Sequence, residues 1–322
     1  MEMKQEYVDL LNHFYFNEFL PELPPELQTI ATDPYVLFHR DDIDGGEFNQ
    51  ITQYVRLEYW LTPWFLADIF PATDEEYRLL NEGYLLIFLA YLVLDHLVDG
   101  QTPDNPLIPL LIHQFFLGAF RQFSKIFADD PHFWDAYHRH IKAHNDALSI
   151  EYASVATYTP PFSYERMEIV AKGKVLPFNI GIEALGRVSG REDLIPIISR
   201  VYELHMFGDQ FYDDADDYLD DFKIGRATMA MVYLSEAENT PLADLMTLDA
   251  DVIREKVIIN RIREKMIAQS TRLLKETIAL LPENFYGTRL HEILVDRLEM
   301  DKTILRSFRG VYVMTRLSNS LR

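Results

Sequence analysis

The stretch Asp209–Asp221 (DQFYDDADDYLDD) holds seven aspartates in thirteen residues, with no lysine or arginine among them. A helical run leads into it. On a 3.6-residue repeat Asp209, Asp213, Asp217 and Asp220 form one stripe, and Gln210, Asp214, Asp217 and Asp221 an adjacent one. Like charges one turn apart destabilise a helix by roughly 0.2–0.5 kcal/mol per pair. Such a segment is therefore either a solvated face, a frayed helix end, or a place where cations sit. Its upstream face favours cations: turning back from Asp213 gives Asp209, Met206 and Tyr202, an apolar wall behind the acids. Hard divalent cations take oxygen ligands, and magnesium in particular is held by a few carboxylates together with substrate phosphates and waters. A calcium loop of the EF-hand kind does not fit, since it needs glycine at its sixth position and a terminal glutamate.

A second acidic pair closes the apolar run YLLIFLAYLVLDHLVDG. Asp95 and Asp99 are four residues apart and share one helix face, with Tyr91, Phe88 and Tyr84 leading away along it. The plain alternative is a helix C-terminus reaching solvent, with Asp99 before Gly100 as part of the stop. Acid near a helix C-terminus opposes the dipole, which counts against that alternative.

Periodicity predicts helices near 2–19, 48–70, 74–99, 106–127, 130–157, 162–188, 191–220, 250–281 and 287–318, with shorter ones in 227–247. Pro24-Pro25, Asp44-Gly45-Gly46, Pro103 to Pro106, Pro160-Pro161, Ser189-Gly190 and Pro282 fall between these runs. Thr73 before Asp74-Glu75-Glu76 reads as an N-cap with an acidic first turn. No segment alternates as a strand does. The expected fold is all-α, a single domain over 1–322 of about ten helices, with residues 1–45 as an N-terminal extension or accessory helix.

The 322 residues are 48% hydrophobic and carry a formal net charge of -21. No basic stretch dominates, so nucleic acid and anionic membranes are not expected partners. Bound metal ions can still bring an anionic substrate to an acidic protein. The chain has no cysteine, which excludes disulfides and thiolate chemistry. Its longest apolar run, Tyr84 to Leu94, is too short to span a bilayer, and its N-terminus lacks the pattern of a signal peptide. No integral membrane segment and a cytoplasmic location are expected. A homodimer is the oligomeric partner kept open.

These motifs resemble those of the class I isoprenoid synthases. Asp95-His-Leu-Val-Asp99 is similar to the first D-x-x-x-D motif of the squalene/phytoene synthase branch, and Asp213-Asp-Ala-Asp-Asp217 to that branch's second motif. Gln210-x-x-Asp213-Asp214-x-x-Asp217 is also similar to the second motif of chain-elongating prenyl diphosphate synthases. The chain departs from the family in two ways. His96 stands where chain elongators carry a second adjacent aspartate, and the Asn/Ser/Glu metal triad of terpene cyclases is not found at the second motif. The resemblance covers roughly residues 80 to 320. It implies two aspartate-rich helices facing each other across a central cavity, with Asp95, Asp99, Asp213, Asp214 and Asp217 holding several Mg2+ ions that bind and ionise a prenyl diphosphate.

A diphosphate leaving group also needs cationic donors. Lys172, near Gly173, and Arg226 stand where the family often carries a basic residue, and Arg309 and Tyr312 share a face of the last helix. Their alternative reading is an exposed or ordinary amphipathic face. Tyr84, Phe88, Tyr91, Tyr202, Met206 and Asn179 are the candidate substrate-pocket residues, aromatic faces being able to stabilise a carbocation. His138, His140 and His144 lack the H-E-x-x-H pattern and read as surface or packed histidines. The expected activity is that of a terpene synthase, a carbon–oxygen lyase that ionises an allylic diphosphate and cyclises or rearranges the product. The alternatives are a head-to-head prenyltransferase and a non-catalytic helical binding protein. A di-metal carboxylate oxidase is not expected, for want of Glu-x-x-His pairs, and bound iron on purification would revive it.

Overall fold

The computed structural model describes residues 5–38, 51, 62–157 and 164–320, with side chains throughout except at 154–157, 176–177 and 309–320. Among the described residues there is no strand, and the fold is all-α as periodicity requires. The helices are α1 (Gln5–His13), α2 (Pro25–Ala31), α3 (Pro34–Phe38), α4 (Thr62–Phe65), α5 (Asp74–Val98), α6 (Ile108–Phe127), α7 (Pro131–Thr157), α8 (Tyr164–Lys174), α9 (Leu176–Val188), α10 (Ile195–Lys223), α11 (Met229–Glu238), α12 (Leu242–Leu245), α13 (Ala250–Ile259), α14 (Ile262–Leu280) and α15 (Arg289–Ser320). The helix expected over 48–70 lies largely outside the described residues. The chain groups into two compact units, residues 1–142 with 176–195 and residues 143–175 with 196–322.

In the first unit α5 is the core helix. Thr73 caps it: its hydroxyl accepts the Glu76 N–H while the Glu76 carboxylate accepts the Thr73 N–H at 2.8 Å. Nearly every residue from Tyr77 to Val93 is buried, because the helix is apolar on all sides. Among the described residues it is the one helix long and apolar enough to cross a membrane, yet 78% of that apolar window is buried inside the protein. α6 packs along it through Phe115, Ala119 and Phe123, all fully buried. Residues 5–38 fall within the segment expected as an N-terminal extension or accessory helix, and they pack on α6 in this unit. Tyr15 is fully buried, donates its hydroxyl to the Ala31 carbonyl at 2.7 Å, and stacks on Phe19, which stacks in turn on Phe115.

In the second unit the apolar face of α10 (Phe207, Phe211, Ala215, Tyr218 and Phe222) packs with Met229 to Leu234 of α11 and with α14. Two expected helices are each broken in two. The run over 162–188 stops at Val175, because Pro177 has no N–H for the Gly173 carbonyl one turn back. The ring of buried His144 meets that carbonyl instead, at 3.2 Å. Here α8 lies so close to α7 that a Cβ on Gly173 would fall 2.1 Å from the Cβ of Ala147. The run over 250–281 stops at Asn260, and Arg261 takes the left-handed conformation, φ +56°.

Candidate functional site

The first acidic pair ends α5. Asp99 is its C-cap, and Gly100 (φ +69°) is the left-handed residue beyond it. Gly100 N–H bonds to the Leu97 carbonyl at 3.2 Å and Gln101 N–H to the His96 carbonyl at 2.8 Å. This is a Schellman turn, which satisfies the last carbonyls of the helix. Asp95 and Asp99 are both half-buried. The aromatic stripe behind them divides. Tyr84 and Phe88 cluster with Phe178 of α9 at ring separations of 6.3–6.4 Å. Tyr91 instead meets Phe116 edge-on at 5.3 Å. Burial, with Tyr137 adding, pushes the Tyr91 phenol above its usual range.

Tyr84 has no exposed surface, and its hydroxyl shares a 2.9 Å hydrogen bond with Thr62. A side chain with no accessible surface borders no space that holds a water. Tyr84, expected as a pocket residue, is packed in the core here. Asn179 is buried at 3% exposure, and its amide oxygen meets no hydrogen-bond donor among the described residues. An amide oxygen so placed costs about 1–3 kcal/mol unless something donates to it.

The second acidic run lies in the other unit, on α10. Its seven aspartates are not equivalent. Asp209 is buried, and its carboxylate lies 2.9 Å from the Arg297 guanidinium of α15. Asp216 pairs with Arg263 at 2.8 Å, Asp220 with Lys223 at 2.6 Å, and Asp221 with Arg226 at 3.7 Å. Asp214 is buried, and each of its oxygens accepts a protein donor: the Gln210 amide at 2.5 Å and the Met229 N–H, the first of α11, at 2.8 Å. Burial pushes this carboxyl up to about 7, against the pull of those two hydrogen bonds. Asp214, expected as a metal ligand, is committed instead to holding the start of α11. Asp213 and Asp217, one turn apart on one face, are exposed. Asp217 has no cationic partner among the described residues. Lost solvation, then the like charges of Asp221, Asp214 and Asp213, push its carboxyl up to about 8.

The other expected residues belong to the second unit. Tyr202 is buried and Met206 half-buried on α10, upstream of the acids. Lys172 on α8 pairs with Glu168 at 2.5 Å. The side chains of Arg309 and Tyr312 lie outside the described residues. Sequence reasoning missed Arg297 and Asp301, which are spaced i,i+4 on α15. That spacing shows on paper, but their burial against α10 is a long-range fact with no local signal.

Among the described residues no three His, Asp or Glu side chains converge as metal ligands do. Magnesium does not require such a cage: one or two carboxylates suffice when phosphates and waters complete the shell. Asp213 and Asp217 are two carboxylates on one exposed face of α10. Comparison of the chain with protein-family models and with curated proteins yields no match.

Proposed function

We propose that this chain is a class I terpene synthase that ionises an allylic prenyl diphosphate and cyclises or rearranges the resulting cation, releasing pyrophosphate. The observation that carries the reading is Asp217. It is exposed beside like charges, with no cation among the described residues to balance it, one turn from exposed Asp213. A helix face built this way costs stability unless a ligand compensates it.

In this reading Asp213 and Asp217 on α10, and Asp95 and Asp99 at the end of α5, supply the magnesium ligands. The metal, when bound, neutralises charge developing on the leaving diphosphate. Arg226 and Lys172 add cationic donors to the diphosphate, each leaving its present carboxylate partner to do so. Phe88, Tyr91, Tyr202 and Met206 provide apolar and aromatic surface beside a cation and keep water from capturing it. Asn179 brings to the same chemistry an amide oxygen that meets no donor among the described residues. Head-to-head condensation of two prenyl chains draws on the same groups and is the second reading, favoured by the D-x-x-x-D form of the first motif.

The test is incubation with C10, C15 and C20 prenyl diphosphates and magnesium, with pyrophosphate release and organic products followed together. Release with a cyclised hydrocarbon or alcohol supports the synthase, and a joined pair of chains the condensing enzyme. No release from any of them, by a folded protein, contradicts both.

A further inference from the structure

The acid-rich helix is anchored inside the protein at Asp209 as well as at Asp214, and neither is one of the exposed aspartates. Arg297 of α15 is buried, its guanidinium 2.9 Å from Asp209 of α10 and its Nε 3.4 Å from Asp301 one turn along α15. The guanidinium lies over the ring of Tyr212, with its carbon 4.2 Å from the centroid. Ser270 of α14 donates to the other oxygen of Asp301 at 2.8 Å. His205 approaches the far oxygen of Asp209 at 3.8 Å. Arg297, Asp209, Asp301, His205 and Ser270 are each at most 6% exposed. A lone carboxylate this deep would be strongly disfavoured, and with Arg297 between them two are held.

Asp209 lies one turn before Asp213 and two before Asp217 on the same stripe. A helix turns as a rigid rod, about 100° for each residue of slip, so what fixes Asp209 fixes the direction of the carboxylates that follow. Tyr212, held under the guanidinium, is the residue immediately before Asp213.

We propose that Arg297 is a positioning residue: by clamping Asp209 and Tyr212 it sets the rotation of α10 at which Asp213 and Asp217 present a metal-binding face to a diphosphate. This rests on the function proposed above. Arg297 touches neither metal nor substrate in this role; it acts through the helix.

The experiment follows binding of Mn2+ in the presence of inorganic pyrophosphate by electron paramagnetic resonance, on the full chain, with circular dichroism as the check on folding. Arg297→Met is expected to weaken binding at least tenfold and Arg297→Lys to restore most of the loss. Asp301→Asn, which leaves the Asp209 pair in place, should stay within twofold of the parent. Should Arg297→Met fail to fold, Asp209→Asn removes the same anchor and keeps its shape, and the same tenfold loss is expected. A folded Arg297→Met or Asp209→Asn that binds Mn2+ as the parent does overturns the positioning role while leaving the synthase reading intact. So does an equal loss in Asp301→Asn, which would mark the whole network as scaffold. A parent that binds no Mn2+ with pyrophosphate overturns the synthase reading and the positioning role with it.

Discussion

At the end of α5, Asp99 is the residue on which the helix stops and Asp95 lies one turn before it; on α10, Asp213 and Asp217 lie well inside a helix that continues to Lys223. The Schellman turn at Gly100 accounts for why the chain stops at Asp99, and stopping a helix needs no metal. No comparable structural need explains Asp217. Around it Asp209, Asp214, Asp216, Asp220 and Asp221 each have a named protein partner, and Asp217 has no cation among the described residues. Spacing alone does not distinguish a carboxylate that folding uses from one that folding tolerates. The accounting of partners does, and it places the stronger argument for metal on α10.

The largest effect expected from this contrast is on turnover. Asp213→Ala and Asp217→Ala should each lower pyrophosphate release by roughly 100-fold, as removal of a group serving developing charge does. Asp99→Ala should lower it comparably. If Asp99→Ala instead costs only stability, the first motif is a helix stop and α10 carries the metal chemistry alone.

Asp214 separates the two kinds of aspartate within one helix. Its replacement by alanine strands the Met229 N–H and is expected to cost about 1–3 kcal/mol in urea unfolding. An unchanged unfolding midpoint would return Asp214 to the set of candidate ligands.

The first unit carries its own pH response, which has to be told apart from any at the acidic faces. Burial, with Arg139 adding, pushes His140 down to about 4. Its folded value lies below its unfolded one, so between them the unfolded state binds more protons. Stability is therefore complete above the unfolded value of His140 and falls as pH drops towards 4. The loss should be about 2 kcal/mol, discounted for partial exposure, and His140→Gln should flatten that acid limb in denaturation measured at several pH values.

Gly100→Ala, forced into a left-handed backbone, should cost about 1 kcal/mol with turnover unchanged, if the turn there is structural. The smallest effect has the opposite sign. Asp217→Asn without metal, measured above about pH 8 where the Asp217 carboxyl is ionised, should raise stability by up to about 0.5 kcal/mol, because it removes like-charge repulsion on α10. Destabilisation would mean that Asp217 has a structural partner after all.

Much of the frame was legible in the sequence because local rules govern it. The Thr73 capping box, the apolar wrap of α5 and the runs of α6 and α7 follow from periodicity and capping. The break between α8 and α9 was written in Pro177, but the apolar pattern runs straight across it, and only the His144 contact with the Gly173 carbonyl shows how the freed group is satisfied. The left-handed Arg261 had no glycine or proline to announce it. In the acidic run, spacing marked the stripe but could not sort its members. Arg297 and Arg263 arrive from helices far along the chain, and burial of Asp209 and Asp214 is a tertiary property. Tyr84 shows the same limit from the apolar side: its spacing put it on the stripe, and its complete burial is a tertiary property.

The most direct measurement is anomalous diffraction from crystals grown with Mn2+ and pyrophosphate. The account predicts manganese at coordination distance from the carboxylates of Asp213 and Asp217, with Asp214 still bonded to Met229 and Asp209 to Arg297. Manganese bound only elsewhere, with the Asp217 carboxylate in bulk water, would contradict it.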